Sequence, residues 1–379
     1  MTATRVPVKR ALLRWAIDRS GRPEPDVRER FPNLPAWEAG TKEPTFRQLQ
    51  DFATATRTPF GYLLLDEPPE ERLPIADLRT VGDEPPRPSA NLLDSVYLCQ
   101  RRQDWYRDYA IAQGHEALDF VGSVTTATAA ERVAADIRQR ADFGMDRRGY
   151  RTWSDAVLGL AESLERIGIL VMISGIVGGN THRALDPEDF RGFTLADVVA
   201  PVIFVNAADS KSAQSFTLAH EAAHVWLGGS AVSSVELDED PALPTERWCN
   251  AVAAELLVPL RDLRDAYRPG LELRNQLDQL TRRYKVSSLV VLRRLHDAGY
   301  LRWAEFRDAY ENERVRAAAA IGGSGGDFYL TTPIRTSKRF LEAIIRDTVE
   351  GQTLYREAFR LLGFQSQATF DTFARRQGL

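Results

Sequence analysis

Two hydrophobic patterns follow one another along the chain, and the first predicts helices. Apolar residues recur every three or four positions, with polar or charged residues between them, as expected for amphipathic helices. Four segments show this spacing: residues 9–19, 91–114, 126–140 and 152–168. A further helical pair is predicted over residues 44–64, where Pro44 stands near the start and Pro59 ends the first part.

The second pattern consists of short apolar runs and predicts a small sheet. Residues 169–174, 190–197 and 200–206 are rich in β-branched and aromatic side chains and are bounded by Gly, Asp or Asn. A helix is predicted directly after them, over residues 215–229. We expect residues 200–206, just before this helix, to form an edge strand to which an extended peptide segment can add.

Helices dominate the rest of the chain. Residues 244–259 form a well-delimited helical segment, with Thr245 as N-cap and Pro259 as its stop. From about residue 271 the pattern is mostly helical, except that residues 328–364 predict a strand followed by two helices. The sequence therefore predicts an α+β fold that is mostly helical.

Proline-rich, charged stretches at residues 66–74 and 82–89 have the composition of connectors, because adjacent prolines stiffen the chain and remove backbone donors. The length of 379 residues also favours more than one domain. We predict four parts: a helical domain over 1–66, a Pro-rich connector with a long helix over 67–120, a core over 121–269, and a mainly helical region over 270–379.

Composition narrows the class of protein. A formal net charge of −4 and a pI of about 5.9 argue against a chain dominated by non-specific binding to nucleic acid. Two cysteines, Cys99 and Cys249, give no disulfide framework and suit a reducing compartment. The longest apolar run, residues 168–179, is too short and too rich in glycine to cross a bilayer. We expect a soluble cytoplasmic protein with no membrane partner.

The strongest chemical signal is the stretch SFTLAHEAAHVWLGG at residues 215–229. Two of the five histidines of the chain, His220 and His224, lie four residues apart there, and Glu221 follows the first. Residues i and i+4 share one face of a helix, so both imidazoles can face a single metal ion. Glu221 then lies where a general base could take a proton from water. The sequence therefore contains the His-Glu-x-x-His pattern of zinc hydrolases.

The third metal ligand must come from elsewhere. Ser230 occupies the position where the extended version of the motif has a third histidine. The helix at 244–259 offers Glu246 and Glu255, which are nine residues apart and point to opposite sides of that helix. We favour Glu246, because Asn250 shares its face and can support a ligand histidine, while Glu255 remains the alternative. The acidic residues of the segment 230–243, Asp238, Glu239 and Asp240, are interpreted as a solvated loop.

These residues resemble the ImmA/IrrE family of metallo-endopeptidases. The resemblance extends over residues 190–224, 246–259 and 284–301, including the Glu-x-x-x-Asn helix that ends in Leu-Leu-x-Pro. It implies a gluzincin-like core of a small sheet plus a zinc helix, with Zn²⁺ held by His220, His224 and Glu246 and with Glu221 as the catalytic base. It also implies a protein substrate, typically a repressor or an antitoxin.

The N-terminal part resembles the Xre-type helix-turn-helix domain. Residues 12–21, 37–53 and 73–80 carry this resemblance. Only PNLPA, residues 32–36, is available for the recognition helix, and two prolines in five residues do not allow a helix long enough for a major groove. Residues 1–60 carry about four more basic than acidic side chains, enough for weak attraction to phosphate. A module that binds protein or packs on the peptidase is favoured over a DNA reader.

Two classes of function remain open from the sequence. The first is a zinc endopeptidase that cleaves a specific protein partner. The alternative is a DNA-binding regulator, or a toxin–antitoxin component, in which the metal site is structural or sensory. Of the other histidines, His182 is a weaker candidate for steadying an oxyanion, and His296 is interpreted as structural.

Overall fold

The computed structural model of the chain describes residues 4–78, 87–144, 147–233, 243–318 and 328–378. The backbone divides into two compact units. The first is Met1–Pro74 with Pro86–Asp94, and the second is Ile75–Pro85 with Ser95–Leu379. The division into four parts remains a prediction.

The first unit is a small helical domain. Its helices are α1 (Arg10–Ser20), α2 (Glu24–Arg30), α3 (Leu34–Glu38), α4 (Phe46–Ala55) and a 3₁₀ helix (Phe60–Leu64). Trp15 and Trp37 are buried in its core, and Phe52 packs edge-on against Trp37. Helix α3 is five residues long, which corresponds to a length of roughly 7.5 Å. The assignment of this unit to the helix-turn-helix class stays a prediction.

Most of the second unit is helical as well. Its helices are α5 (Ala90–Ala112, which begins in the first unit), α6 (Ala130–Ala141), α7 (Trp153–Arg166), α8 (Lys211–Leu227), α9 (Pro244–Leu257), α10 (Leu260–Ala266), α11 (Leu273–Tyr284), α12 (Ser288–Asp297), α13 (Trp303–Ala318), α14 (Phe328–Thr336), α15 (Lys338–Val349), α16 (Tyr355–Leu362) and α17 (Gln367–Arg376). None of the helices described is long and apolar enough to span a bilayer.

A five-stranded mixed sheet lies in the second unit. The strands are β1 (Ala76–Asp77), β2 (Leu170–Ser174), β3 (Gly192–Leu195), β4 (Val202–Asn206) and β5 (Ala231–Ser233), in the order β1-β5-β3-β4-β2. Strand β3 is antiparallel to β4 and β5, while β2 pairs with β4 and β1 with β5 in parallel. The predicted α+β class and the three predicted strands are confirmed.

Strand β4 is not the edge strand that was expected. Ile203 of β4 faces Val171 of β2 on one side and Thr194 of β3 on the other, so both backbone edges of β4 are used. No peptide can add to this strand. The error arises because a continuous apolar run indicates burial but does not reveal strand order.

Three local predictions are also wrong. Helix α9 begins at Pro244, so Thr245 lies inside its first turn and Leu243 is the N-cap residue. The segment 230–243 is not all loop, because β5 begins at Ala231; Asp238, Glu239 and Asp240 lie outside the described residues. The strand expected from residue 328 is helix α14, which lies against β2. Its β-branched and aromatic residues favour a strand locally, and tertiary packing overrides that preference.

The zinc-motif helix α8 lies at the centre of this unit. It packs against β3 and β4 on one side and against α7 and α9 on the others. Trp226 is fully buried, stacks on Phe120 with ring centroids 4.4 Å apart, and donates its indole N–H to Asp136 at 2.8 Å. Such anchoring fixes the rotation of α8 and hence the direction of every side chain on it.

Candidate metal centre

Helix α8 begins and ends with clear local signals. Ser210 caps its start by accepting a hydrogen bond from the backbone N–H of Ala213 at 3.2 Å, and Gly228 ends it in the left-handed conformation. His220 and His224 lie one turn apart and are both buried, with exposed fractions of 0% and 1%. Two imidazoles on one face of a rigid buried helix are held in fixed positions relative to one another.

Glu246 completes a triangle with the two histidines. Nε2 of His220 lies 3.1 Å from Nε2 of His224 and 3.2 Å from Oε2 of Glu246. Nε2 of His224 lies 3.1 Å from Oε1 of Glu246. Glu246 projects from the first turn of α9 and is itself 3% exposed. The structure thus brings together the three residues that the sequence proposed as metal ligands; their role as ligands stays a prediction.

Asn250 determines which nitrogen of His220 carries the proton. Its side-chain oxygen lies 2.8 Å from Nδ1 of His220, so this nitrogen must donate. A neutral ring that donates from Nδ1 leaves a lone pair on Nε2, which points into the triangle. Glu246 and Asn250 share one face of α9, as their spacing predicts.

The triangle has the properties of a metal site. Oε1 of Glu246 is buried and has no hydrogen-bond partner in the described structure. It lies 3.1 Å from Nε2 of His224, so these two atoms are close but are not aligned for a hydrogen bond. Two nitrogens and one carboxylate are a common zinc donor set, and tetrahedral zinc places such ligand atoms about 3.3 Å apart. Burial opposes ionisation of Glu246, but contact with His220 and His224 in their protonated form outweighs it and lowers its pKa to about 2. With neutral histidines, a bound zinc ion would supply the positive charge in their place. The residues present therefore fit a zinc ion.

Cys249 is a further donor near the triangle. Its sulfur lies within 4.8 Å of the ring nitrogens of His220 and His224, and the residue is fully buried. Burial, followed by the negative charges of Glu246 and Glu221, raises the pKa of Cys249 well above its usual value. Glu246 is the better third ligand, because its oxygens are closer to the histidines and it is ionised. The spacing of Cys249, three residues from Glu246 on α9, already places it beside the face that carries the proposed ligand.

Glu221 points toward the sheet, where two hydroxyl groups hold its carboxylate. Thr194 of β3 lies 2.8 Å from Oε2, and Ser233 of β5 donates to Oε1 at 2.8 Å. Burial raises the pKa of Glu221 to about 7; the neighbouring His224 and the two hydroxyls oppose this shift, and the charge of Glu246 adds to it. A carboxylate that titrates near neutral pH can both accept and return a proton.

Gly192 allows β3 to approach this carboxylate. A β-carbon at position 192 would lie 2.6 Å from Cγ2 of Thr217, 2.9 Å from the carbonyl oxygen of Phe204 and 3.0 Å from Oε1 of Glu221. Any larger residue would therefore displace the strand or the carboxylate. Sequence reasoning missed Gly192, Thr194 and Ser233. The available signal was the hydroxyl of Thr194 within a predicted strand, because Ser233 lies in a segment that was interpreted as a loop.

The remaining candidates lie outside the centre. The Glu255 carboxylate binds the guanidinium of Arg294 and accepts from the backbone N–H of Leu260 at 3.3 Å. His182 is exposed in the loop between β2 and β3, and its ring makes none of the contacts described for the centre. His296 pairs through Nδ1 with the carbonyl oxygen of Leu301 at 2.9 Å, in keeping with a structural role.

Comparison with known families points in the same direction. No curated protein matches the chain. Residues 336–376, at the C-terminal end, match a domain of unknown function (DUF8813). Residues 164–296 match the Peptidase M78 family model, described as the IrrE N-terminal-like domain. This segment contains the whole candidate metal centre, and the match supports the resemblance to the ImmA/IrrE family and indicates a peptidase.

Proposed function

We propose that this protein is a zinc-dependent endopeptidase that cleaves one specific protein partner, a transcriptional repressor or an antitoxin. The observation that carries the proposal is the buried triangle of His220, His224 and Glu246. The Glu221 carboxylate, on the same helix as the two histidines, interacts electrostatically with His224 and Glu246. Burial raises the pKa of Glu221 to about 7, the range in which a carboxylate can accept and return a proton near neutral pH.

Each residue of the centre has a separate role in the proposed reaction. His220, His224 and Glu246 would hold the zinc ion, and Asn250 keeps the His220 ring in the correct tautomer. When bound, zinc supplies Lewis-acid activation of water and of the scissile carbonyl group. Glu221 takes a proton from the attacking water and passes it to the leaving amine. Thr194 and Ser233 orient the carboxylate for both transfers.

The choice of substrate rests on the family resemblance. Peptidases of the ImmA/IrrE type act on a repressor or antitoxin, and this chain has a separate helical unit that could recognise such a partner. Helix α3 spans five residues, which disfavours deep insertion into a major groove. We therefore assign the N-terminal unit to protein recognition.

One observation favours a second candidate, a structural or sensory metal site in a regulator. Cys249 is a potential fourth protein donor, and a closed site with four protein ligands leaves no position for water. The replacement Cys249→Ala separates the two functions. An endopeptidase should keep its bound zinc, whereas a closed four-ligand site should lose zinc affinity; a modest loss of stability is expected in both, because Cys249 is a core residue.

The decisive experiment compares wild type with Glu221→Gln. Both zinc-loaded proteins are incubated with a soluble extract of the source organism, and new protein N-termini are identified by mass spectrometry. We expect new termini only with wild type, while elemental analysis finds zinc in both. Glu131→Gln, an exposed position on α6, is the control for the substitution itself. Equal cleavage by Glu221→Gln and wild type would refute the proposed base.

A further inference from the structure

A second cavity lies away from the metal centre. It has a volume of about 570 Å³ and is found at the carboxyl ends of the parallel strands β2 and β4. Its walls come from α7, the loops that follow β2 and β4, the first turn of α8, and α14. Clefts at this end of parallel strands are frequent ligand sites, and the volume lies within the usual range for small molecules. None of the metal-centre residues lines it.

The walls combine an apolar surface with positive charge. Val157, Ile173, Ile176 and Ile334 provide much of the apolar lining. The charged side chains that line the cavity are Lys211, at the start of α8, and Arg335, in α14. No Asp or Glu contributes to the walls among the residues that the structure describes. An apolar cavity whose described charged side chains are cations is complementary to an organic anion.

Lys211 is held in place without a counter-ion. Its Nζ donates to Oε1 of Gln214 at 3.0 Å, and no ion pair involves it in the part of the chain that is described. Gln214 is fully buried and donates in turn to the carbonyl oxygens of Ala207 and Asp209. Burial lowers the pKa of Lys211. The residue as a whole is exposed, and its ammonium group, whose described polar contact is the Gln214 side chain, is accessible to an anion in the cavity.

A third cation lies in a smaller adjoining cavity. This cavity, of about 20 Å³, shares Ser174, Ile176 and Arg335 with the larger one and is also lined by Arg102. Arg102 is 4% exposed and donates to the carbonyl oxygens of Leu361 at 2.9 Å and Arg335 at 3.4 Å. No carboxylate pairs with it among the described residues, and burial lowers its pKa to about 10, which leaves it charged at neutral pH. A buried arginine is normally accompanied by an anion.

We propose that this cleft binds an organic anion with an apolar body. The anionic group binds to Lys211 and Arg335, and Arg102 adds positive charge from the adjoining smaller cavity. The apolar body lies against Val157 and Ile173.

The location separates this site from the chemistry of the metal centre. Lys211 precedes His220 by nine residues, which corresponds to about 14 Å along the axis of α8. The ligand would touch the start of α8 and α14 together, and α14 leads directly into the segment 336–376. Binding therefore ties the C-terminal region to the zinc-motif helix. The proposal does not depend on peptidase activity and can be tested by binding alone.

Isothermal titration calorimetry on the full chain tests it with three ligands that share an eight-carbon chain and with butyrate, a carboxylate with a shorter chain. We expect saturable binding of octanoate, octyl phosphate or both, and binding of octan-1-ol and of butyrate that is weaker by about tenfold or more. The two anionic head groups distinguish a carboxylate ligand from a phosphate ligand. Absence of saturable binding by both anions, or equal binding of octanoate and octan-1-ol, would overturn the proposal.

A matched pair of double variants locates the site. Lys211→Met/Arg335→Met should weaken binding of the better anion by about tenfold or more. Lys42→Met/Arg356→Met removes the same charge from exposed positions that do not line the cavity, and it should bind like wild type. Melting temperatures of both variants establish that they are folded. If the first pair folds and binds like wild type, the anion does not bind in this cleft and the proposal fails.

Discussion

The side-chain oxygen of Asn250 lies 2.8 Å from Nδ1 of His220. Helix α9 therefore supplies both the carboxylate of Glu246, in its first turn, and the acceptor that orients the opposing histidine one turn later. Because the oxygen can only accept, Nε2 of His220 is the nitrogen that faces His224 and Glu246. One helix thus sets both the position and the tautomer of the donor set.

This contact predicts a graded effect on metal affinity. Asn250→Leu should weaken zinc binding by about 10- to 100-fold, because the ring of His220 loses the partner that fixes its tautomer. Asn250→Asp keeps an acceptor oxygen at the same place and should stay close to wild type. Competition with a chromophoric zinc chelator measures both variants. Wild-type affinity in Asn250→Leu would show that the contact does not support a ligand.

The two hydroxyls at Glu221 predict an effect on catalysis without loss of metal. Thr194→Val and Ser233→Ala should each retain zinc, yet slow cleavage of the partner by about tenfold, because the base is no longer held. Both hydroxyls lower the pKa of Glu221, so their removal raises it, and the acidic limb of the pH–rate profile should move to higher pH. An unchanged profile in both variants would contradict the positioning role.

Part of the candidate metal centre could be predicted from the sequence, and part of it could not. The proximity of His220 and His224 was predictable because helical periodicity brings i and i+4 together, and that of Glu246 because Asn250 shares its helix face; the roles of these residues and of Glu221 stay predictions. Thr194 and Ser233 were not predictable, because they come from separate strands whose pairing depends on the whole sheet. A hydroxyl in a short strand has no local signature that distinguishes support of a base from ordinary packing.

The order of the strands in the sheet could not be predicted from the sequence either. The runs that became β2, β3 and β4 were recognisable from their composition, yet the position of β4 between the other two was not. Strand order is decided by contacts between segments distant in sequence. Strands β1 and β5 contain two and three residues, too few for any alternation to be visible.

Gly192 is predicted to be intolerant of even one methyl group. Gly192→Ala should lower the free energy of unfolding by about 1–3 kcal/mol, because the added carbon meets Thr217 and a backbone carbonyl at close range. Urea denaturation measures the loss. Gly229→Ala is the control, since no atom lies within 4 Å of a β-carbon built there. Equal stability of the two variants would mean that β3 can move away from α8 without cost.

The second glutamate of α9 should behave as a structural residue. Arg294→Met should destabilise the fold by about 3–5 kcal/mol, because the buried Glu255 carboxylate loses its ion-pair partner. Glu255→Gln should cost less, because Arg294 keeps its ion pair with Asp297 at 3.1 Å. Zinc content at a temperature where the variants are folded should not change. By contrast, Glu246→Gln should lower the zinc content of the folded protein. Loss of zinc in Glu255→Gln alone would instead make Glu255 the third ligand.

Glu165, at the end of α7, predicts a pH dependence of stability that does not involve the metal centre. Burial raises its pKa to about 7, opposed by hydrogen bonds from the Ser337 hydroxyl and from backbone amides of β2 and the start of α15. The folded protein therefore keeps this carboxyl protonated up to about pH 7, whereas the unfolded chain releases the proton near its ordinary pKa of 4.5. Its contribution to stability is complete below pH 4.5 and is lost as the pH rises to 7.

Glu165→Gln removes this titration and keeps the shape of the side chain. The free energy of unfolding of wild type minus that of Glu165→Gln should fall by about 3 kcal/mol between pH 4.5 and 7, and then stay level. Urea denaturation at half-unit pH intervals measures the difference, in which other titrating groups cancel. Glu162→Gln, an exposed position on the same helix, is the control for the substitution. A difference that is flat across this range, or that rises with pH, would show that the folded protein holds Glu165 as a carboxylate, bound by the amides at the start of α15.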